Sequence, residues 1–108
     1  YGMTELTSHA YTRALSGGKL LRPETFAQMI APRVSQGIEG AAWGLGPEVS
    51  TAGGVLSWGH GGTARGTQFE LKVYPEKGIT SIVMSNYDTI GGYELGRALD
   101  EIVRGMVR

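Results

Sequence analysis

His60 is the residue of this chain whose type and setting most invite chemistry. It closes the run Leu56-Ser57-Trp58-Gly59-His60-Gly61-Gly62-Thr63. The run starts as an apolar strand and carries an imidazole where the bulky side chains stop. Two glycines follow. Arg65 to Pro75 is extended again, so the pattern predicts strand, bare glycine corner, strand. Glycine inside a strand marks a bulge or a close approach of another backbone or a ligand. A polar head beside uncovered backbone is a place where a ligand can lie against a sheet.

The composition narrows what that ligand is. A length of 108 residues fits one domain or part of one, and 41% hydrophobic residues is ordinary for a globular protein. Ten basic and ten acidic residues cancel. With no Lys/Arg cluster, nucleic acid and anionic membrane surfaces are not the expected partners. Without cysteine there are no disulfides and no thiolate metal sites. Two distant histidines without metal-ligand spacing do not make a zinc site, so no metal or other cofactor is expected. His9, in mid-helix without a partner motif, reads as surface or core. No apolar run approaches the roughly 20 residues of a membrane span. No signal peptide is visible, which leaves the compartment open between secreted or periplasmic and cytoplasmic. The chain begins at Tyr1 and not at methionine, so a longer parent protein is expected.

The elements that must hold His60 follow from periodicity. Leu6, Ala10, Tyr11, Ala14 and Leu15 predict a helix over Glu5–Leu15, capped by Thr4 and stopped by Gly17-Gly18. Arg22-Pro23-Glu24-Thr25 opens a second helix, with Phe26, Met29 and Ile30 as its apolar side and Ala31-Pro32 as its end. Residues 33–40 read as loop. Ala41 to Val49 reads as one glycine-broken strand, with Trp43 and Leu45 on one face. Ser50 to Gly54 reads as a turn, and Val55 to His60 as a strand. Gln68 to Tyr74 alternates cleanly, which predicts Phe69, Leu71 and Val73 buried and Glu70 and Lys72 solvated. Pro75-Glu76-Lys77-Gly78 is a hairpin turn with Gly78 at positive φ. Ile79 to Asn86 is apolar on both faces, as a central strand is. Leu95, Leu99, Ile102, Val103 and Met106 mark a helix over about Gly92–Val107. Trp43 and Trp58 read as core or pocket wall. The predicted class is α+β: an antiparallel β-sheet flanked by helices.

Taken in order, several of these segments resemble one family. Trp58-Gly59-His60-Gly61-Gly62, the alternating Phe69–Val73, Tyr74-Pro75-Glu76-Lys77-Gly78 and Ile82-Val83-Met84-Ser85-Asn86 are similar to the C-terminal end of the serine β-lactamase-like hydrolases. The nearest branch holds class C β-lactamases, D-alanyl-D-alanine carboxypeptidases and related esterases. Gly17-Gly18-Lys19-Leu20-Leu21 with Pro23-Glu24-Thr25, and Trp43-Gly44-Leu45-Gly46, are similar to earlier parts of the same region. Such enzymes use a Ser-x-x-Lys, a Tyr-x-Asn or Ser-x-Asn, and a Lys-Thr-Gly or His-x-Gly on a strand beside the nucleophile. His60-Gly61-Gly62 matches the third motif. The resemblance implies that His60 lines the site, that Gly61 and Gly62 leave room for substrate along the strand, and that the Thr63 backbone N–H is an oxyanion donor. A donor of that kind is worth roughly 3 kcal/mol.

The other two motifs are missing. Ser16-Gly17-Gly18-Lys19 matches Ser-x-x-Lys by letters, but it follows a helix and holds two glycines, whereas the chemistry needs serine at a helix start with lysine on its face. No Tyr-x-Asn or Ser-x-Asn occurs. The expectation is therefore that residues 1–108 are a single incomplete domain. The nucleophile would lie upstream, and the chain alone would be inactive. Neutral imidazole anchors a carboxylate less well than ammonium, which favours an ester or peptide substrate over a β-lactam. Arg65 is the candidate for the missing positive charge. The expected partners are a small-molecule or peptide substrate and the N-terminal remainder of the domain. An unpaired edge on Ile79–Asn86 predicts homo-oligomers or strand swapping. A second reading is a non-catalytic module of the same fold that binds peptide or cell wall, or serves assembly. Gly61-Gly62-Thr63 lacks the Lys-Ser/Thr of a phosphate loop, and the chain lacks the Gly-x-Ser-x-Gly that a His-Gly-Gly oxyanion loop accompanies in α/β-hydrolases.

Overall fold

The alternation of Gln68 to Tyr74 gives a sheet strand with two different faces, and the rest of the molecule is built onto those faces. A computed structural model describes residues 5–87 and 91–107, with side chains of the first helix from Ala10 onward. Thr4, the expected cap of that helix, and the side chain of His9 lie outside the described residues. The helices are α1 (Glu5–Ser16), α2 (Pro23–Met29) and α3 (Gly91–Gly105). The strands are β1 (Val34–Ser35), β2 (Ala41–Trp43), β3 (Glu48–Ser50), β4 (Ser57–Ala64), β5 (Thr67–Tyr74) and β6 (Ile79–Ser85). All six strands form one sheet in chain order, each antiparallel to the next. The predicted α+β class is the observed one.

One face carries the apolar core. Val49, Trp58, Leu71 and Val73 meet Leu15 of α1, and Phe26, Met29 and Ile30 pack against them. The Phe26 ring meets Trp58 edge-on at 5.4 Å. Among the described side chains of α1, Thr12 and Leu15 are buried, while Tyr11 is exposed. The helix stops as predicted. Gly18 takes a φ of 72°, Lys19 N–H donates to the Ala14 carbonyl at 3.0 Å and Gly18 N–H to Leu15 at 3.3 Å. That is a Schellman closure, which needs glycine at the left-handed position.

The other face is polar and is covered too. The expectation that Glu70 and Lys72 stand in solvent is corrected here: α3 lies over them. Their side chains keep 16% and 24% of their exposure, and Gln68 and Tyr74 are buried. The helix comes this close because it presents glycine. A Cβ at Gly96 would collide with the Glu70 carboxylate, and one at Gly92 with the Gln68 amide. One turn and two turns further along the same side, Asp100 and Arg104 complete the contact. Asp100 accepts from the Tyr74 hydroxyl at 2.7 Å and from Arg104 Nε at 2.7 Å, and Lys72 Nζ is 3.6 Å away. Burial pushes the Asp100 carboxyl upward. The Arg104 and Tyr74 hydrogen bonds and the nearby cations outweigh it, so the group lies below its ordinary range. Burial, and then the bond to Asp100, hold the Tyr74 hydroxyl well above the usual tyrosine range.

Four segment predictions need correcting. Residues 34–35 pair with β2 and are not loop. Ala41–Val49 is not one strand but the hairpin β2–β3. Gly44 N–H donates to the Pro47 carbonyl at 2.8 Å, and Gly46 takes a φ of 108°. A side chain at Gly44 would strike the Met29 carbonyl, so the glycines that seemed to interrupt a strand in fact reverse it. The strand through His60 does not end in a glycine corner, because Gly61 and Gly62 are paired with Glu70 and Phe69. The corner comes at Arg65-Gly66, where Gly66 has a φ of 77°. Finally, among the described residues β6 is the last strand of the sheet rather than an inner one, with the unpaired edge expected of it. Gly78 does take the positive φ expected of it, 66°.

Candidate functional site

A mismatch in strand length opens the backbone at the site. β5 pairs with β4 along Trp58–Ala64, whereas the three-residue β3 pairs only with Ser57–Gly59. From His60 to Ala64 the side of β4 away from β5 has no strand partner among the described residues. Which backbone groups face that opening follows from the ladder. The Leu71 and Phe69 carbonyls are the backbone groups that stand nearest where a Cβ on Gly59 and Gly61 would lie, so they point at β4. Their register partners are His60 and Gly62, which therefore turn N–H and C=O towards β5. Antiparallel strands alternate, so Gly61 and Thr63 present theirs to the open edge.

Each predicted site residue can now be placed. His60 is exposed at the start of the open stretch. Its Nδ1 lies 2.5 Å from the Gly61 carbonyl. A carbonyl can only accept, so Nδ1 carries a proton; in the neutral ring Nε2 then keeps the free lone pair. The Trp43 ring stands 5.9 Å away, centroid to centroid, and is itself partly exposed. Trp58, by contrast, is core. His60 also borders a cavity of about 160 Å³ whose polar wall includes Glu48, Glu70 and Lys72.

Beyond His60 the strand is bare but not unguarded. A Cβ on Gly62 would come within 2.6 Å of the Phe69 ring, and one on Gly61 within 3.3 Å of the Tyr93 ring. Phe69, predicted as core, is 40% exposed: it lies across Gly62 and is not part of the core cluster. Thr63 Oγ1 is 2.9 Å from the Tyr93 hydroxyl and accepts from Gln68 Nε2 at 3.3 Å. Gln68 Oε1 accepts the Tyr93 N–H at 3.1 Å, which satisfies a free donor in the first turn of α3. His60, Gly61, Gly62 and Thr63 thus follow one another along the open stretch, with Thr63 about 10 Å from His60. Arg65 lies beyond them: it sits exposed in the turn, five residues and about 16 Å along the strand from His60. Sequence reasoning missed Tyr93, Gln68 and Phe69 as neighbours of the site. The signal was the four-residue spacing of Gly92, Gly96, Asp100 and Arg104, which marks a helix face made for close approach.

Ser16 and Lys19 form no catalytic pair. Ser16 is the last residue of α1 and donates its hydroxyl back to the Thr12 carbonyl at 2.8 Å, and Lys19 belongs to the Schellman closure. Among the described residues there is no group of three His, Asp or Glu side chains that could hold a metal ion. No described helix is long and apolar enough to cross a membrane.

Known structures share this fold. A penicillin-binding protein from Bacillus halodurans superposes with a TM-score of 0.81 over 92% of the chain, at 20% identity. The chain has the serine β-lactamase-like fold. A D-stereospecific amidohydrolase from Streptomyces matches this β-lactamase-like chain with a TM-score of 0.66 over 77% of its length, at 27% identity. The chain spans only 30% and 25% of the lengths of those two proteins. No protein-family model and no curated protein sequence matches the chain.

Proposed function

We propose that this β-lactamase-like chain is the C-terminal part of a serine hydrolase that cleaves an ester or amide through an acyl-enzyme. The nucleophilic serine and its base come from residues outside the chain. The observation that carries the reading is the open edge of β4, where Gly61 and Thr63 offer backbone groups beside an exposed imidazole. In this reading the substrate lies along that edge. The Thr63 N–H donates to the developing oxyanion, and His60, through its free Nε2, accepts a proton or a hydrogen bond from the reacting groups. The substrate class is a small ester, a D-alanyl peptide or a β-lactam.

The experiment is to incubate the full-length protein with a chromogenic ester and a penicillin, and to follow both turnover and intact mass. Saturable hydrolysis is expected, with an acyl adduct on a serine outside residues 1–108. His60→Ala should lower kcat/KM roughly 100-fold. Neither adduct nor hydrolysis would sink the reading and leave a non-catalytic binding module of the same fold.

A further inference from the structure

Arg104 lies on the far side of the sheet from the apolar core, yet its hydrogen bonds converge on the chain that leads into the His60 strand. Nη1 donates to the Ala52 and Val55 carbonyls, both at 2.6 Å. Nη2 donates to Ser57 Oγ at 2.8 Å and Ser50 Oγ at 3.2 Å. Nε is held by Asp100 at 2.7 Å, and the guanidinium lies 5.8 Å from the Tyr74 ring centroid. One planar group thus ties α3 to the short 3-10 turn Ala52–Gly54, to β3 and to the first residue of β4. Ser57 is 1% exposed and Arg104 keeps 13% of its side-chain exposure, so these bonds are little weakened by water.

The geometry matters because past Gly59 β4 is paired with β5 along one edge only. Past Ser57, Gly59, Gly61 and Gly62 bring no side chains, and β3 ends its support at Gly59. His60 is three residues, about 10 Å, beyond Ser57. We infer that Arg104 is the positioning residue of this strand: its guanidinium fixes where β4 leaves the 52–55 turn, and so where His60 and the open edge stand. The catalytic consequence rests on the acyl-transfer reading; the structural one does not. Lysine cannot replace it. An ammonium is a compact point donor and cannot span two carbonyls and two hydroxyls as a planar fork does.

Hydrogen exchange by mass spectrometry on the full-length protein, wild type and Arg104→Lys, tests this. Exchange of peptides within 56–64 should rise about tenfold relative to peptides of β5 and β6. An equal rise in all strands, or none, overturns the inference. Should Arg104→Lys not fold, Ser57→Ala decides, since it removes one acceptor and keeps the ion pair; a smaller rise confined to 56–64 supports the inference, and its absence overturns it. Arg104→Lys should also lower kcat on the order of 10- to 100-fold while KM stays within about threefold. An unchanged kcat with selectively loosened exchange defeats the catalytic part. A wild-type protein that turns over no ester or amide defeats the hydrolase reading alone, because the exchange result is read without it.

Discussion

The two faces of the sheet are buried by different means. Towards α1 and α2 the contact is apolar: Trp58, Leu71, Val73 and Val49 against Leu15 and Phe26. Shape can adjust there, because methylenes and rings repack. Towards α3 the contact is a row of glycines set against Gln68 and Glu70, followed by Asp100 and Arg104 in a hydrogen-bonded cluster. That face is specific and brittle. Each polar group has a particular partner, and a methyl in the wrong place has nowhere to go. A sheet that looks one-sided by hydrophobicity can therefore be covered on both sides when the covering helix sets glycines against the polar strand and adds polar partners beyond them.

Substitutions that attack each face separately should show the contrast. The largest loss is expected from Trp58→Ala, about 3–5 kcal/mol by urea unfolding, as for a large aromatic removed from a core. Gly96→Ala should cost about 1–3 kcal/mol, because the new methyl drives α3 off Glu70. In a Glu70→Ala background the same change should cost far less, and an undiminished cost would show that the helix packs differently. The polar face should also titrate. The Asp100 carboxyl is depressed, so its contribution is complete above the ordinary carboxylate range and is lost as pH falls through its folded value. Asp100→Asn should lower stability at neutral pH and flatten the acid slope, read from unfolding midpoints against pH. Tyr74 has the opposite sign. Its raised value makes its contribution complete below about pH 10 and lost as pH rises further, so Tyr74→Phe should flatten the alkaline slope. Smallest of all is Lys19→Ala, expected to leave both stability and full-length activity within error, since the lysine is exposed and contributes only its backbone to the helix closure.

The sequence revealed the apolar face well and the polar face poorly, and the reason is physical. Alternation reports which side of a strand avoids water. It located Leu71, Val73 and Trp58, together with the helix stop at Gly18 and the turn at Gly78. It cannot say that polar side chains are sheltered, because Glu70 and Lys72 look the same whether water or Asp100 surrounds them. Glycine was the second blind spot. In Gly44-Leu45-Gly46 it meant reversal, in Gly59–Gly62 a paired strand under neighbouring rings, and in Gly92 and Gly96 close helix contact. These are three different backbone geometries behind one letter. The His60 segment stood out because it joined an apolar strand to a polar head, but the opening beside it came from the shortness of β3, which no pattern in residues 41–50 announced.

Between Gly59 and Gly62 the imidazole is the only side chain. Such a ribbon packs little of its own: β5 holds it along one edge, and the Phe69 and Tyr93 rings stand against its two faces. The practical corollary is that the open edge can be retuned without altering a single atom of the strand that forms it. A smaller side chain at 69 or a missing hydroxyl at 93 would each loosen one face of the ribbon.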